Sequence, residues 1–134
     1  MPSLTCIVVT PEALAVEEQA DFVALPLYDG EIGIAPAHSP LIGRLGHGEL
    51  RLRSGSQQKR LFLDGGFVQV ANNVVSVLTS RAVPADKIDA AAAEERLRDA
   101  IQKPANTDEL RELRDRTILQ ARAQLRVARR AQSA

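Results

Sequence analysis

One cysteine, Cys6, in a chain of 134 residues excludes any intramolecular disulfide framework and fits a reducing compartment. It stands in the alternating run Leu4-Thr5-Cys6-Ile7-Val8-Val9, where a thiol reads as a small buried hydrophobe rather than a nucleophile. Tryptophan is absent, and one Tyr and three Phe make up the aromatic inventory. A single-strand nucleic-acid binder needs exposed aromatic platforms beside a basic groove; here the phenylalanines sit in apolar runs expected in the core, so no nucleic-acid partner is expected. The two histidines, His38 and His47, have no carboxylate or cysteine at ligand spacing, and zinc needs three or four protein ligands, so no metal is expected either. No apolar run approaches the roughly twenty residues of a membrane span. No basic segment with an apolar core opens the chain, so no secretory signal is expected. The formal charge is zero, which removes any overall electrostatic pull toward an anionic partner. That sum conceals an asymmetry: up to Pro84 acids outnumber bases by two, and beyond it bases outnumber acids by two.

What is present divides at the same proline. Before it the hydrophobic pattern has period two in short segments between turn-formers. Leu4 to Thr10, Ala13 to Glu17, Phe22 to Pro26, Glu49 to Arg53, Arg60 to Asp64, Phe67 to Ala71 and Val74 to Leu78 read as strands. Ser54-Gly55-Ser56 breaks one pair, Gly65-Gly66 separates another, and Asn72-Asn73 is suited to a tight hairpin because Asn tolerates positive φ. Gly43, Gly46 and Gly48 read as turn and bulge positions; their order is not that of a dinucleotide loop and no helix follows. Many short strands with frequent turns predict a β-sandwich or flattened barrel over residues 1–84.

After Pro84 the period becomes helical. Ala90, Ala93, Leu97 and Ile101 form one narrow face, with Asp86 as expected N-cap and Asp89 in the first turn. Lys103-Pro104 ends that helix. Asn106 is the expected cap of a second, whose stripe is Leu110, Leu113, Thr117, Ala121, Leu125 and Ala128. A short connection predicts an antiparallel two-helix hairpin over residues 85–134. Alanine offers one methyl at about 0.8 kcal/mol, so this hairpin is weakly self-sufficient, as a mobile element would be. Arg122, Arg126, Arg129 and Arg130 gather near its end with no acid after Asp115. They read either as a solvated helix end that complements the dipole or as a latch for an acidic partner surface.

Catalytic chemistry is missing. His38-Ser39 are neighbours on an extended chain and point to opposite faces, which defeats a base–nucleophile hydrogen bond. Nothing assembles nucleophile, base and oxyanion donor, so no enzyme is expected in this chain itself.

The stretch Asp29-Gly30-Glu31-Ile32-Gly33-Ile34-Ala35-Pro36-Ala37-His38-Ser39-Pro40-Leu41 is the most distinctive segment. It is joined by Val8-Val9-Thr10-Pro11-Glu12, Ala24-Leu25-Pro26, Gly48-Glu49-Leu50-Arg51-Leu52, Phe62 to Val70, Asn73 to Leu78 and Ala123 to Ala128. In this order and length the segments closely resemble the epsilon subunit of bacterial F-type ATP synthases.

That resemblance implies a ten-stranded β-sandwich followed by a helical hairpin, in a non-catalytic rotor subunit that couples proton-driven rotation to ATP synthesis. It implies a c-ring contact at Asp29, Gly30 and Glu31, and a gamma contact at Thr10, His38 and Ser39. It also implies a regulatory hairpin that restrains ATP hydrolysis, with Arg122, Arg126, Arg129 and Arg130 toward the catalytic alpha and beta subunits. The location implied is peripheral, on the cytoplasmic face of a bacterial membrane, without membrane insertion. Family members that bind ATP on the hairpin carry I-D-x-x-R-A. Here Ile88, Asp89 and Ala93 remain but Ala92 replaces the arginine, so weak ATP binding or none is expected, and no cofactor. The competing class is a free-standing β-sandwich binding module whose helices serve as an oligomerisation hairpin.

Overall fold

The computed structural model describes residues 3–133. They fall into two compact units, residues 1–84 and 85–134. The first contains eight strands: β1 Leu4–Val9, β2 Leu14–Ala20, β3 Phe22–Leu27, β4 Gly30–Ile34, β5 Leu41–Ser54, β6 Gln57–Ala71, β7 Val74–Leu78 and β8 Ala82–Pro84. Hydrogen bonding runs β2-β1-β7-β6-β5-β3-β4, with β8 added on β6. Only β1 and β7 run parallel; the other pairs are antiparallel.

Two long strands turn this sheet into a sandwich. On β5, Leu45 points inward, then Leu50 and Leu52 do; on β6, Leu61 and Leu63 point inward, then Val68 and Val70 do. In each case the inward parity switches from odd to even or the reverse, while the β5–β6 register stays in step from Leu41↔Val70 to Ser54↔Gln57. A strand whose inward parity changes midway must bend there. The bends fall at Gly46 on β5 and at Gly65 and Gly66 on β6, both of which have positive φ. Each long strand thereby serves both layers, and dividing each at its bend restores ten strands from eight.

The core between the layers draws Leu4, Cys6 and Val8 from β1, Val75 and Val77 from β7, and Val23 and Leu25 from β3. Burial pushes the Cys6 thiol up to about 12, with a smaller contribution from the charge of Glu18. The glycines of β5 lie within the strand rather than in turns between strands. At Gly48 an added Cβ would stand 2.7 Å from Pro26 Cβ, and at Gly46 3.1 Å from the Leu27 carbonyl oxygen. They accommodate β3, whose pairing with β5 is irregular between Ala24 and Leu27. Asn72 and Asn73 both take positive φ (53° and 62°) and join β6 to β7 in a two-residue turn.

The second unit holds a 3-10 turn (Ala85–Lys87), α1 (Ala90–Gln102) and α2 (Asp108–Ser133). The cap of α1 is Asp89, not Asp86: its Oδ1 accepts the Ala92 N–H at 3.0 Å, while Asp86 lies in the 3-10 turn. Thr107, rather than Asn106, caps α2, its Oγ1 accepting the Leu110 N–H at 3.2 Å. On α1 the expected face holds at Ala90, Ala93 and Leu97, which are half-buried or buried, but at its end Ala100 is buried in place of Ile101, which is 54% exposed. On α2 the expected stripe is buried only in its second half: Ala121, Leu125 and Ala128 are covered, whereas Leu110 and Leu113 are exposed. A cavity of about 280 Å³ lies at that end, lined by Ala100, Pro104, Leu110 and Leu113 among others. Small residues on α1 leave the leucines of α2 nothing to fill against.

Candidate interaction surface

The turn Tyr28-Asp29 joins β3 to β4, and Gly30 follows at φ 146°, a conformation open to glycine. This hairpin is anchored at both flanks. The Tyr28 N–H donates to the Arg44 carbonyl at 3.0 Å, and the Arg44 guanidinium lies 5.8 Å from the Tyr28 ring centroid. Glu31 accepts from Arg51 at 2.6 Å. Tyr28, Asp29, Gly30 and Glu31 are all exposed.

From Arg44 a row of directly registered neighbours crosses five strands: Arg44↔Phe67, Phe67↔Leu78, Val9↔Leu78 and Val9↔Leu14. All five side chains are exposed, Phe67 and Leu78 by 61% and 60%. One pleat further along the same face, Ile42 stands 78% exposed opposite Gln69. The expectation that every phenylalanine is core therefore fails at Phe67, while Phe62 is fully buried. Contiguous exposed apolar side chains of this kind mark an interaction surface rather than ordinary scatter.

Thr10 and His38 lie at the two ends of the β1–β7 ladder that carries this face. Thr10 follows Val9 at the Leu78 end, where its hydroxyl donates to the Ala13 carbonyl at 3.2 Å. It also lines a shallow cavity of about 310 Å³ with Val9, Pro11, Gly66, Leu78, Thr79 and Ser80. At the other end the corner from Pro36 to Pro40 is fixed by a hydrogen bond from Ala37 N–H to Asn73 Oδ1 at 2.7 Å, Ala37 itself having φ 67°. His38 is half-buried and its Nδ1 donates to the Ser39 carbonyl at 2.6 Å, which fixes the ring against the backbone of the corner.

His47 is placed where sequence spacing showed no partner. Its Nδ1 is 2.6 Å from Asp64 Oδ1, across the β5–β6 register. Thr79 accepts the Asp64 N–H and donates to the Arg81 carbonyl, and Ser80 donates to the Asp64 carbonyl. This network ties β6 to the segment entering β8; the Ser80 hydroxyl is directed to backbone, not to the imidazole. Among the described residues no group of three or more His, Cys, Asp or Glu is arranged to hold a metal. No helix among the described residues is long and apolar enough to cross a membrane.

On α2, Arg122, Arg126, Arg129 and Arg130 are all exposed and cluster on a stripe one position round from Ala121, Leu125 and Ala128. Ile88 is half-buried; Asp89 is committed to capping α1; Ala93 is fully buried, and its N–H donates to the Asp89 carbonyl at 3.0 Å. Asp89 and Ala93 thus have local roles in starting and packing α1.

Residues 3–85 match the model of the ATP synthase, Delta/Epsilon chain, beta-sandwich domain. The chain is 47% identical over 127 residues to an ATP synthase epsilon chain of Rhodopirellula baltica, covering 95% of this chain and 99% of that one. It is 41% identical over 97 residues to an ATP synthase epsilon chain of Desulfitobacterium hafniense, covering 70% and 74%. Among solved structures, a chain of the Euglena gracilis mitochondrial ATP synthase, determined as an OSCP/F1/c-ring assembly, shares the fold with a TM-score of 0.84 at 19% identity, covering 100% of this chain and 83% of that chain. The Tetrahymena thermophila mitochondrial ATP synthase central stalk/c-ring contributes another, with a TM-score of 0.73 at 13% identity over 93% and 96%. A relative of this identity across nearly the whole of both chains, on a β-sandwich followed by two helices, means that the chain belongs to the ATP synthase epsilon chain family and is a non-catalytic subunit of that complex.

Proposed function

We propose that this epsilon chain works in the central stalk as an adaptor between the gamma shaft and the membrane c-ring, with its helical unit regulating ATP hydrolysis. The observation that carries the reading is the exposed apolar row from Phe67 through Leu78 and Val9 to Leu14, continued by Ile42. Gamma docks on this face, and Thr10 at one end and His38-Ser39 at the other frame the contact. Through Arg44 the row is continuous with the Tyr28 hairpin, where Asp29, Gly30 and Glu31 form the foot on the c-ring. Both solved neighbours come from c-ring-containing assemblies, which supports that placement. Arg122, Arg126, Arg129 and Arg130 face acidic surfaces of the alpha and beta subunits when the helices restrain hydrolysis. The subunit sits peripherally on the cytoplasmic face of the bacterial membrane and binds ATP weakly or not at all; micromolar ATP affinity in equilibrium dialysis would overturn that last point.

Co-purification with gamma tests the docking face. The native chain is expected at near-equal stoichiometry with gamma. Phe67→Glu and Leu78→Glu place a charge in a desolvated contact, where loss of one buried apolar anchor alone amounts to about 2 kcal/mol or more, so binding should weaken at least about thirtyfold. Both positions are exposed, so the isolated variants should remain folded. Unchanged gamma binding in both would refute the assignment. A chain ending at Pro84 should keep gamma and lose inhibition of ATP hydrolysis; loss of gamma binding there would overturn the division of labour.

A further inference from the structure

The exposed apolar row on the β-sandwich runs into the shallow cavity of about 310 Å³ beside Thr10. Val9 and Leu78, registered neighbours on β1 and β7, belong to both the row and the cavity wall. Thr10 and Pro11 continue the wall from the turn after β1, Thr79 and Ser80 from the segment after β7, and Gly66 from the bend of β6. The cavity thus opens where two strands end and a third bends.

Its polar side chains are already committed. The Thr10 hydroxyl donates to the Ala13 carbonyl at 3.2 Å, the Thr79 hydroxyl to the Arg81 carbonyl at 3.1 Å and the Ser80 hydroxyl to the Asp64 carbonyl at 2.9 Å. The Thr79 N–H donates to the Val9 carbonyl at 3.1 Å and the Thr10 N–H to the Ala13 carbonyl at 2.9 Å, while Pro11 has no N–H to offer. No ionisable side chain lines the cavity. With every hydroxyl proton of the wall held by backbone, a polar occupant would leave water and gain no hydroxyl donor in return. What faces an occupant is the hydrocarbon of Val9, Pro11 and Leu78 and the bare Cα of Gly66. The Thr79–Val9 hydrogen bond also ties the two strand ends together, so the shape is built into the sandwich.

Resting on the gamma-docking reading above, we infer that this cavity receives one large apolar side chain of the gamma subunit, aromatic or branched aliphatic, as the anchor of the docking face. The row and the cavity are continuous through Val9 and Leu78, so a partner that covers one covers the other. A partner lying flat would seal an empty hole into a desolvated contact and forfeit packing there. A projecting apolar side chain fills it, and interface anchors sit in such pockets within a ring of contacts that exclude water.

Ser80→Cys and Thr10→Cys each place a thiol on the cavity wall. Native Cys6 is fully buried, so in the folded chain the new thiol alone reacts. Each variant is capped with a methylthio or a benzylthio group from the corresponding methanethiosulfonate, and the affinity of the full-length chain for gamma is measured. The benzyl group takes the place of the partner's side chain, so within each variant the benzylthio form should bind at least about thirtyfold more weakly than the methylthio form. Ser56→Cys, exposed in the β5–β6 turn, should bind equally with either cap. A loss of that size at either cavity position, absent at Ser56→Cys, supports the pocket. Equal affinity of the two forms at both cavity positions, or the same loss at Ser56→Cys, overturns it, while the docking face stands as long as Phe67→Glu and Leu78→Glu still impair gamma binding. If those two bind gamma normally, the docking face fails and the pocket fails with it. One reactive thiol before capping and none after confirms in each variant that Cys6 is covered and the sandwich intact.

Discussion

Replacing Gly66 by alanine should disrupt the β-sandwich far more than its single methyl group suggests. Gly66 has φ 112°, and a Cβ there would lie 1.9 Å from the Leu78 carbonyl oxygen and 2.9 Å from Thr79 Cα. Comfortable contact needs about 3.5 Å, so β7 must retreat by more than 1 Å at its Leu78 end. Those atoms are backbone and cannot swing aside as a side chain would. Backbone strain at such a φ is about 1–3 kcal/mol and overpacking adds about 1–3. Loosening the Phe67↔Leu78 pairing removes about 1 kcal/mol more, giving a total of about 5 kcal/mol. For a domain whose whole stability is about 5–15 kcal/mol, that approaches global failure. The assay is urea unfolding of the full chain followed by trapping of Cys6, the single thiol, fully buried in the sandwich core and silent to events in the helices. With m about 1 kcal/mol/M, the midpoint should fall by roughly 5 M or the variant should label without urea. Gly55→Ala is the control: φ is 62° there but nothing lies within 4 Å, so only the left-handed strain of about 1–2 kcal/mol applies. Equal midpoints for the two variants would refute the reasoning, because the backbone clash would then be worth nothing.

The Cys6 thiol, raised from 9.0 to about 12 chiefly by burial, favours the fold in its protonated form. Its contribution is whole below pH 9, where the unfolded thiol begins to ionise, and is lost as pH rises toward about 12. The native chain should therefore lose more stability than Cys6→Val between about pH 8 and about pH 11 in urea titrations followed by circular dichroism; parallel losses would exclude the thiol as the cause. Asp89→Ala should lower hairpin stability by about 1 kcal/mol, read as helical circular dichroism on heating, while Asp86→Ala changes it by less than about 0.5; the reverse order would contradict the cap seen here. Asn73→Gly keeps the turn but removes the acceptor for Ala37 N–H, at about 1 kcal/mol, and Asn73→Ala adds strain at φ 62°, so Cys6 trapping should rank alanine below glycine.

The change of hydrophobic period at Pro84 was legible because it depends only on spacing. So was the Asn72-Asn73 turn, since the residue type answers directly to positive φ. Strand ends at Gly65-Gly66 were not legible. Two glycines between alternating segments signal an interruption equally well whether the chain turns back or bends and continues. Only the partners decide: β6 pairs with β8 through Leu61 to Leu63 and with β7 from Phe67 onward, so one strand serves two neighbours. The helix caps failed for a similar reason. Asp86, Asp89, Asn106 and Thr107 are all competent cap residues, and which one starts the helix is set by what the preceding turn allows.

The interaction face was hidden by its own composition, because hydrophobicity alone does not distinguish the inside of a strand from an outer face that awaits a partner. Parity does. In Phe67-Val68-Gln69-Val70 the phenylalanine shares its side with Gln69, and the two valines are buried. In Val74 to Leu78, Leu78 shares its side with Ser76, opposite Val75 and Val77. In Leu4 to Val9, Val9 stands with Thr5 and Ile7, opposite Leu4, Cys6 and Val8. On each strand the exposed apolar residue lies in phase with a polar one. A single strand of this kind is unremarkable, since isolated surface hydrophobes are common. Register makes the difference: it aligns Phe67, Leu78, Val9 and Leu14 into one row, and register between distant strands is what a lone sequence does not state. The same holds for Arg51, Arg53 and Arg60, which are an ordinary alternation on two strands until pairing sets them around one cavity.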